Sequence, residues 1–203
     1  PSKRVIQLSL LFRYLTPRSE GTFYAAVMSR YRAFSAFKKS SQEMYQSDPN
    51  TFGQAEVRRL QRASNTRKSL AWQDNTSFND HWSINIDYNV VGDDYYLSDL
   101  NNNLNEVTQN QLLQQAQLNY QGQYWKFLSR VQGYQTLHPV NQMPVLNQYT
   151  RLPQFILEGD YPNNPGGLEY IFSSDVTHFV FTNTPGSNTL SPTGNRLHIQ
   201  PGI

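Results

Sequence analysis

The sequence predicts an all-β chain, a single antiparallel, up-and-down series of strands, and three observations predict it. Apolar and polar residues alternate with period 2 through much of the chain, and short and long connections alternate along its length. The clear alternating runs are about 9 to 13 residues long, against roughly 5 to 6 for a globular strand.

The strands follow in order. Ile6, Leu8, Leu10, Phe12 and Tyr14 share one face of the first, opposite Gln7, Ser9, Leu11 and Arg13. A second runs over 22–29 and, after a long connection, a third over 69–78. The fourth is the clearest: Trp82, Ile84, Ile86, Tyr88 and Val90 cover one side, His81, Ser83, Asn85, Asp87 and Asn89 the other. The fifth, 112–120, lies in a Gln-rich stretch, Gln109 to Tyr120, that a helix would also suit. In the sixth, Trp125, Phe127 and Val131 oppose Lys126, Arg130 and Gln132. The seventh, 150–159, contains Pro153, which removes a ladder donor from its middle. In the eighth, Leu168, Tyr170, Phe172, Val176 and Val180 oppose Glu169, Ser173, Asp175 and Thr177, and 195–203 makes a ninth.

Composition fits a folded chain that is polar without being highly charged. Of 203 residues 37% are hydrophobic and 16% charged, while 19 Asn and 19 Gln supply nearly a fifth. The 13 Tyr, 11 Phe and 3 Trp argue against disorder, which is aromatic-poor. With no Cys these residues hold no disulfide framework, thiolate nucleophile or Cys-based metal site. No apolar run approaches the roughly 20 residues of a bilayer-spanning helix. The chain opens on Pro1 with no charged-then-apolar signal segment, so it reads as an internal piece of a longer protein.

The connections carry the argument further. Short ones at 16–21, 78–80, 121–123 and 160–167 alternate with long ones at 30–68, 91–111, 136–149 and 183–194. Sequential antiparallel strands then place every short turn at one end and every long loop at the other, as in a transmembrane β-barrel, whose strands need about 9 to 11 residues. Tyr14, Trp82, Tyr88, Tyr120, Trp125 and Tyr170 fall where interfacial girdle residues would. In lipid a sheet must close on itself, with an even strand count in single-chain bacterial barrels, so nine strands read as an arc of a larger barrel.

The net charge of +2 hides an asymmetry. Residues 1–68 carry 13 Lys/Arg against 4 acids, +9, and residues 69–203 carry 4 against 11, −7. Nine of the bases (Arg30, Arg32, Lys38, Lys39, Arg58, Arg59, Arg62, Arg67 and Lys68) fall in one low-apolar stretch, either a solvated loop or a surface that meets anions.

No catalytic constellation emerges. His81, His138, His178 and His198 are far apart without metal-ligand spacing. Glu158 and Asp160 share a strand face but run into the turn at 161–167, and Asp93-Asp94 lacks the oxygen spacing of a calcium loop. Nucleophile-elbow, phosphate-loop and dinucleotide motifs are missing, and nothing calls for a cofactor, a metal or nucleic acid. A polar face lined with Asn, Gln and Ser suits holding or moving an amphiphile or a sugar, so transport or binding ranks above catalysis.

Four ordered segments are specific. Arg13–Gly21, Tyr124–Leu137, Arg151–Phe155 and Asn195–Pro201 resemble, in the same order, stretches of the LptD family of outer-membrane lipopolysaccharide-assembly proteins. The resemblance spans nearly the whole chain and implies the early part of that family's barrel, following a periplasmic jelly-roll domain that lies outside residues 1–203. It further implies lipopolysaccharide and outer-membrane lipid as contacts, an LptE-like lipoprotein inside the barrel, and delivery over a periplasmic bridge ending in an LptA-like protein. The family's paired cysteines have no counterpart here. On this reading Ser83, Asn85, Asp87, Asn89, Lys126 and Arg130 face the lumen, and Arg58, Arg59 and Arg62 on an outer loop meet lipopolysaccharide phosphates. A passive porin and a secreted carbohydrate-binding β-sandwich remain as alternatives.

Overall fold

Nine strands form where the period-2 pattern places them. They are β1 (Gln7–Leu15), β2 (Ser19–Met28), β3 (Arg67–Ser77), β4 (Trp82–Val91), β5 (Gln111–Gln121), β6 (Trp125–Thr136), β7 (Thr150–Asn164), β8 (Leu168–Val180) and β9 (Gly194–Gly202). The structure, a computed structural model, describes residues 6–29, 32–48, 54–97, 110–139, 145–182 and 191–203. Arg30 and much of the last three long connections lie outside the described residues. All nine strands belong to one sheet in sequence order, each antiparallel to the next. β1 and β9 are its edges, and among the described residues no second sheet covers either face, which removes the sandwich alternative.

Opposed residues of antiparallel strands point to the same face, so the register sorts the side chains. Asn85 stands opposite Asn75 and Gln117, and Asp87 opposite Gln73 and Gln115, on a polar face. The other face carries unbroken cross-strand rows, such as Phe12–Phe23–Trp72–Tyr88. Leu8, Leu10, Phe12, Val131, Phe155, Val176 and Leu197 on this second face are all exposed. Gln111–Gln121, where a helix was the other option, is a strand because its alternation serves both faces: Leu112, Ala116, Leu118 and Tyr120 on one, Gln115, Gln117 and Asn119 on the other.

Pro153 leaves its mark on β7. Arg151 pairs with Gln132 and Phe179, and Gln154 with Arg130 and Thr177. Leu152 and Pro153 together therefore oppose one residue on each neighbour, Val131 and His178, as a β-bulge. A proline in a central strand is tolerated at such a place because no ladder bond is asked of it.

The first long connection is no plain solvated loop. It holds α1 (Arg32–Ser47) and α2 (Gln54–Arg62), a correction with a visible cause. Phe34, Phe37, Ser41 and Tyr45 recur at helical spacing, as do Val57 and Leu60, and Phe34, Leu60 and Tyr95 form a buried cluster with Phe37 and Ala63 against it. A second cluster, Val91, Tyr96, Leu97, Leu112 and Leu137, sits at the same long-loop end of the sheet. Between the two, Arg67 is fully buried and grips Asp93 through Nε at 2.9 Å and Nη2 at 2.7 Å, with its guanidinium 4.7 Å from the Phe34 ring. Both carboxylate oxygens of Asp93 are thus engaged by this one guanidinium.

Candidate functional site: the polar face of the sheet

The polar face is organised by hydrogen bonds between neighbouring strands. Asn85 Nδ2 donates to Asn75 Oδ1 at 2.7 Å, Asn119 Nδ2 donates to Asn85 Oδ1 at 2.6 Å, and Gln117 Nε2 donates to Asn119 Oδ1 at 2.6 Å. Asn85 and Asn119 thus each donate to one neighbour and accept from another, with Gln117 as the first donor and Asn75 as the last acceptor of a chain across β3, β4 and β5 that carries no net charge. Asn89 Nδ2 donates to Asp87 Oδ1 at 2.6 Å, and Gln132 Nε2 to Gln115 Oε1 at 2.9 Å.

Across β6 to β9 the face is ionic. Arg130 Nη2 donates to Gln154 Oε1 at 2.6 Å, and Gln154 Nε2 to Asp175 Oδ2 at 3.1 Å. The same carboxylate accepts from Arg196 Nη2 at 2.7 Å and from the Thr177 hydroxyl. Gln154 and Thr177 are buried, so the network is held in place by the wall itself.

Of the residues expected to face a lumen, Asn85, Asp87, Asn89 and Arg130 lie in these networks. Ser83 lies on the same face opposite Ser77 and Asn119, and Lys126 opposite Gln121 and Glu158. A cavity of about 860 Å³ opens where Gln7, Tyr24, Gln73, Asp87 and Asn89 meet Tyr96 under the long-loop end.

The three arginines of α2 divide. Arg59 Nε lies 3.0 Å from Asp94 and its Nη2 donates to the His138 carbonyl, tying the helix down. Arg58 and Arg62, one helical turn apart and both exposed, line a groove of about 330 Å³ between the helices with Gln42, Tyr45, Gln46 and Gln61. The structure does not bring this groove together with the polar face of the strands.

Sequence reasoning missed three features. Gln154 and Arg196 were not singled out, the first because the bulge hides its parity. Arg67 and Asp93 were read as a surface base and a loop acid. Asp74 is the third: it lies in the apolar rows beside Trp72, only 6% exposed, and accepts a hydrogen bond from the Tyr14 hydroxyl, which reaches it across Gly21. Its parity, a carboxylate in an otherwise apolar register, was the available signal.

Six aromatics were expected as a girdle. Tyr14, Trp82, Tyr120, Trp125 and Tyr170 do gather at the short-turn end, where Trp82 packs on Tyr120 at 4.9 Å and Trp125 on Phe172 at 6.1 Å. Tyr88 instead stands inside the sheet, in the row with Trp72, Phe23 and Phe12.

The family described as "LPS transport system D", LptD, matches over residues 65–203. The LPS-assembly protein LptD of Legionella pneumophila (strain Philadelphia 1) is 34% identical over 202 residues, covering 98% of this chain and 23% of that protein. The protein of that name from Coxiella burnetii is 32% identical over 210 residues, covering 100% of this chain and 24% of its own length. That of Pseudomonas aeruginosa (strain UCBPP-PA14) is 26% identical over 220 residues, with 100% and 21% covered. The chain thus spans less than a quarter of the length of these relatives.

Proposed function

Because this chain belongs to the LptD family, we propose that its sheet is part of the wall of an outer-membrane barrel that passes lipopolysaccharide to the outer leaflet. The observation that carries the reading is the two-faced sheet: apolar rows left uncovered on one side, hydrogen-bonded polar ladders on the other. Apolar rows meet lipid without cost, while neutral amides hydrogen-bond passing sugar hydroxyls without the tight charge trapping that would stall transport. An LptE-like lipoprotein occupies the lumen against Ser83, Asn85, Asp87, Asn89, Lys126 and Arg130, and an LptA-like bridge delivers substrate to the parent protein from the periplasm. Arg58 and Arg62, in the groove between α1 and α2, meet lipopolysaccharide phosphates outside the barrel, while Arg59 holds their helix in place.

The test uses the complete parent protein, purified from outer membranes in mild detergent, with bound lipid and protein identified by mass spectrometry. Near-stoichiometric lipopolysaccharide and a lipoprotein are expected. A photo-crosslinker at Asn85 should capture the lipoprotein or saccharide, and one at Ile84 only lipid. A protein that comes alone and conducts small solutes would be a porin. Separately, Arg58→Gln with Arg62→Gln should lower the lipopolysaccharide retained without changing the lipoprotein.

A further inference from the structure

The apolar face is not uniform at its long-loop end. Two cross-strand rows lie there, Leu10–Ala25–Leu70–Val90 and Leu8–Val27–Lys68. Ala25 is the small residue between two leucines, so the surface dips over β2. The result is a trough of about 590 Å³ whose side-chain walls are Leu8, Leu10, Leu70 and Val90. Toward the short-turn end the next row on this face is the aromatic one, Phe12–Phe23–Trp72–Tyr88. At the opposite end the single charged residue of its lining is Lys68, which is exposed. The ladder continues past β4 at this point, Gly92 N–H donating to the Lys68 carbonyl at 2.8 Å. A Cβ on residue 92 would stand 2.8 Å from Lys68 Cγ, so glycine there lets the lysine stem lie flat at the rim of the trough.

An apolar trough with a cation at its long-loop end matches the chemistry of a hydrocarbon chain attached to an anionic headgroup. The charge stands at the long-loop end, where the outward-facing headgroups lie if the proposed orientation in the outer membrane holds. We propose that this trough seats one acyl chain of the lipid A part of lipopolysaccharide, with a lipid A phosphate at Lys68, on the lipid-facing side of β1–β4. This rests on the lipopolysaccharide reading given above, and it adds a lipid site on the outside of the wall, apart from the polar face and from the groove of Arg58 and Arg62. A lipid held there has left the polar face but stays beside β1, the edge of the sheet.

The experiment uses the full parent protein with its bound lipoprotein in detergent, with purified lipid A as probe. Binding is measured for lipid A, for its dephosphorylated form and for phosphatidylglycerol, on wild type, Lys68→Gln and Ala25→Phe. Lys68→Gln should weaken lipid A about fivefold, as expected for one surface cation, and leave the dephosphorylated form unchanged. Ala25→Phe fills the trough and should weaken both forms alike. Phosphatidylglycerol should bind more weakly than lipid A to wild type. Equal binding of lipid A by all three proteins would overturn the proposal, and so would wild type binding phosphatidylglycerol as tightly as lipid A, the mark of ordinary boundary lipid. Crosslinking of lipopolysaccharide at Asn85 in the same preparations keeps the two readings apart: if it persists while the variants change nothing, only the trough is refuted. Heat-modifiable migration on gels confirms that each variant is folded.

Discussion

Asp74 and Tyr14 make a pair whose energetics are decided by what each leaves behind. The carboxylate is almost wholly covered on the apolar face, and its partners are the Tyr14 hydroxyl and the Thr76 hydroxyl at 3.0 Å. Removing one partner of a buried acceptor costs about 1 to 3 kcal/mol, whereas replacing both by apolar groups is nearly neutral. Tyr14→Phe in the parent protein should therefore lower the midpoint of thermal unfolding more than Tyr14→Phe combined with Asp74→Leu; a larger loss in the double variant would refute this. Such a pair was half legible. The alternation puts Tyr14 on the apolar face of its strand, but it assigns no face to the third strand, and a period says nothing about which strand skips over a glycine to reach another. Asn85, by contrast, was legible outright, because every second residue around it is apolar. Asn85→Leu removes two inter-strand amide bonds, and a loss of about 1 to 3 kcal/mol in urea unfolding is the expected result.

At the scale of elements, the helices rest on a buried ion pair that joins β3 to the segment after β4, beside the Arg59 contacts and the Phe34, Leu60 and Tyr95 cluster. Arg67 at the start of β3 and Asp93 just beyond β4 are 0% and 2% exposed at the side chain, and Phe34 of α1 stacks on the guanidinium. Breaking a buried pair from one side costs about 3 to 5 kcal/mol, since the remaining charge has no water to return to. Asp93→Asn should thus speed proteolytic cleavage around α1 and α2 by more than tenfold while the strands stay protected. Equal cleavage in both proteins would show that the Phe34, Leu60 and Tyr95 cluster and the Arg59 contacts hold the helices without the pair. The strands were readable because their pattern repeats and their two faces differ. The helices were not, since a stretch rich in Lys and Arg was judged by its mean polarity. The narrow stripe of Phe34, Phe37, Ser41 and Tyr45 is enough to bury one side of α1, yet it barely moves that mean.

For the molecule as a whole, two open edges and an uncovered apolar face have one outcome in water. Unpaired ladder groups on β1 and β9 and exposed side chains such as Leu10, Phe12, Leu197 and Ile199 invite pairing with further copies. Residues 1–203 expressed alone should aggregate without detergent, and a monodisperse monomer by light scattering would contradict the open-arc architecture. The nine-strand order was legible from loop lengths, which sort the two ends of the sheet. How the arc curves and what closes it were not, because those depend on partners beyond these strands. The bulge in β7 has a consequence of another kind. Odd-numbered residues such as Arg151 point to the polar face before Leu152, and even-numbered ones, Gln154, Ile156 and Glu158, do so after Pro153. β6 and β8 keep step with each other across it, Arg130 and Gln132 matching Thr177 and Phe179. A one-residue insertion in a two-faced wall normally turns part of a strand inside out; here two residues share a single rung, and the odd residue is absorbed. β7 is therefore the strand in which this wall has room for a change in chain length without inverting its neighbours.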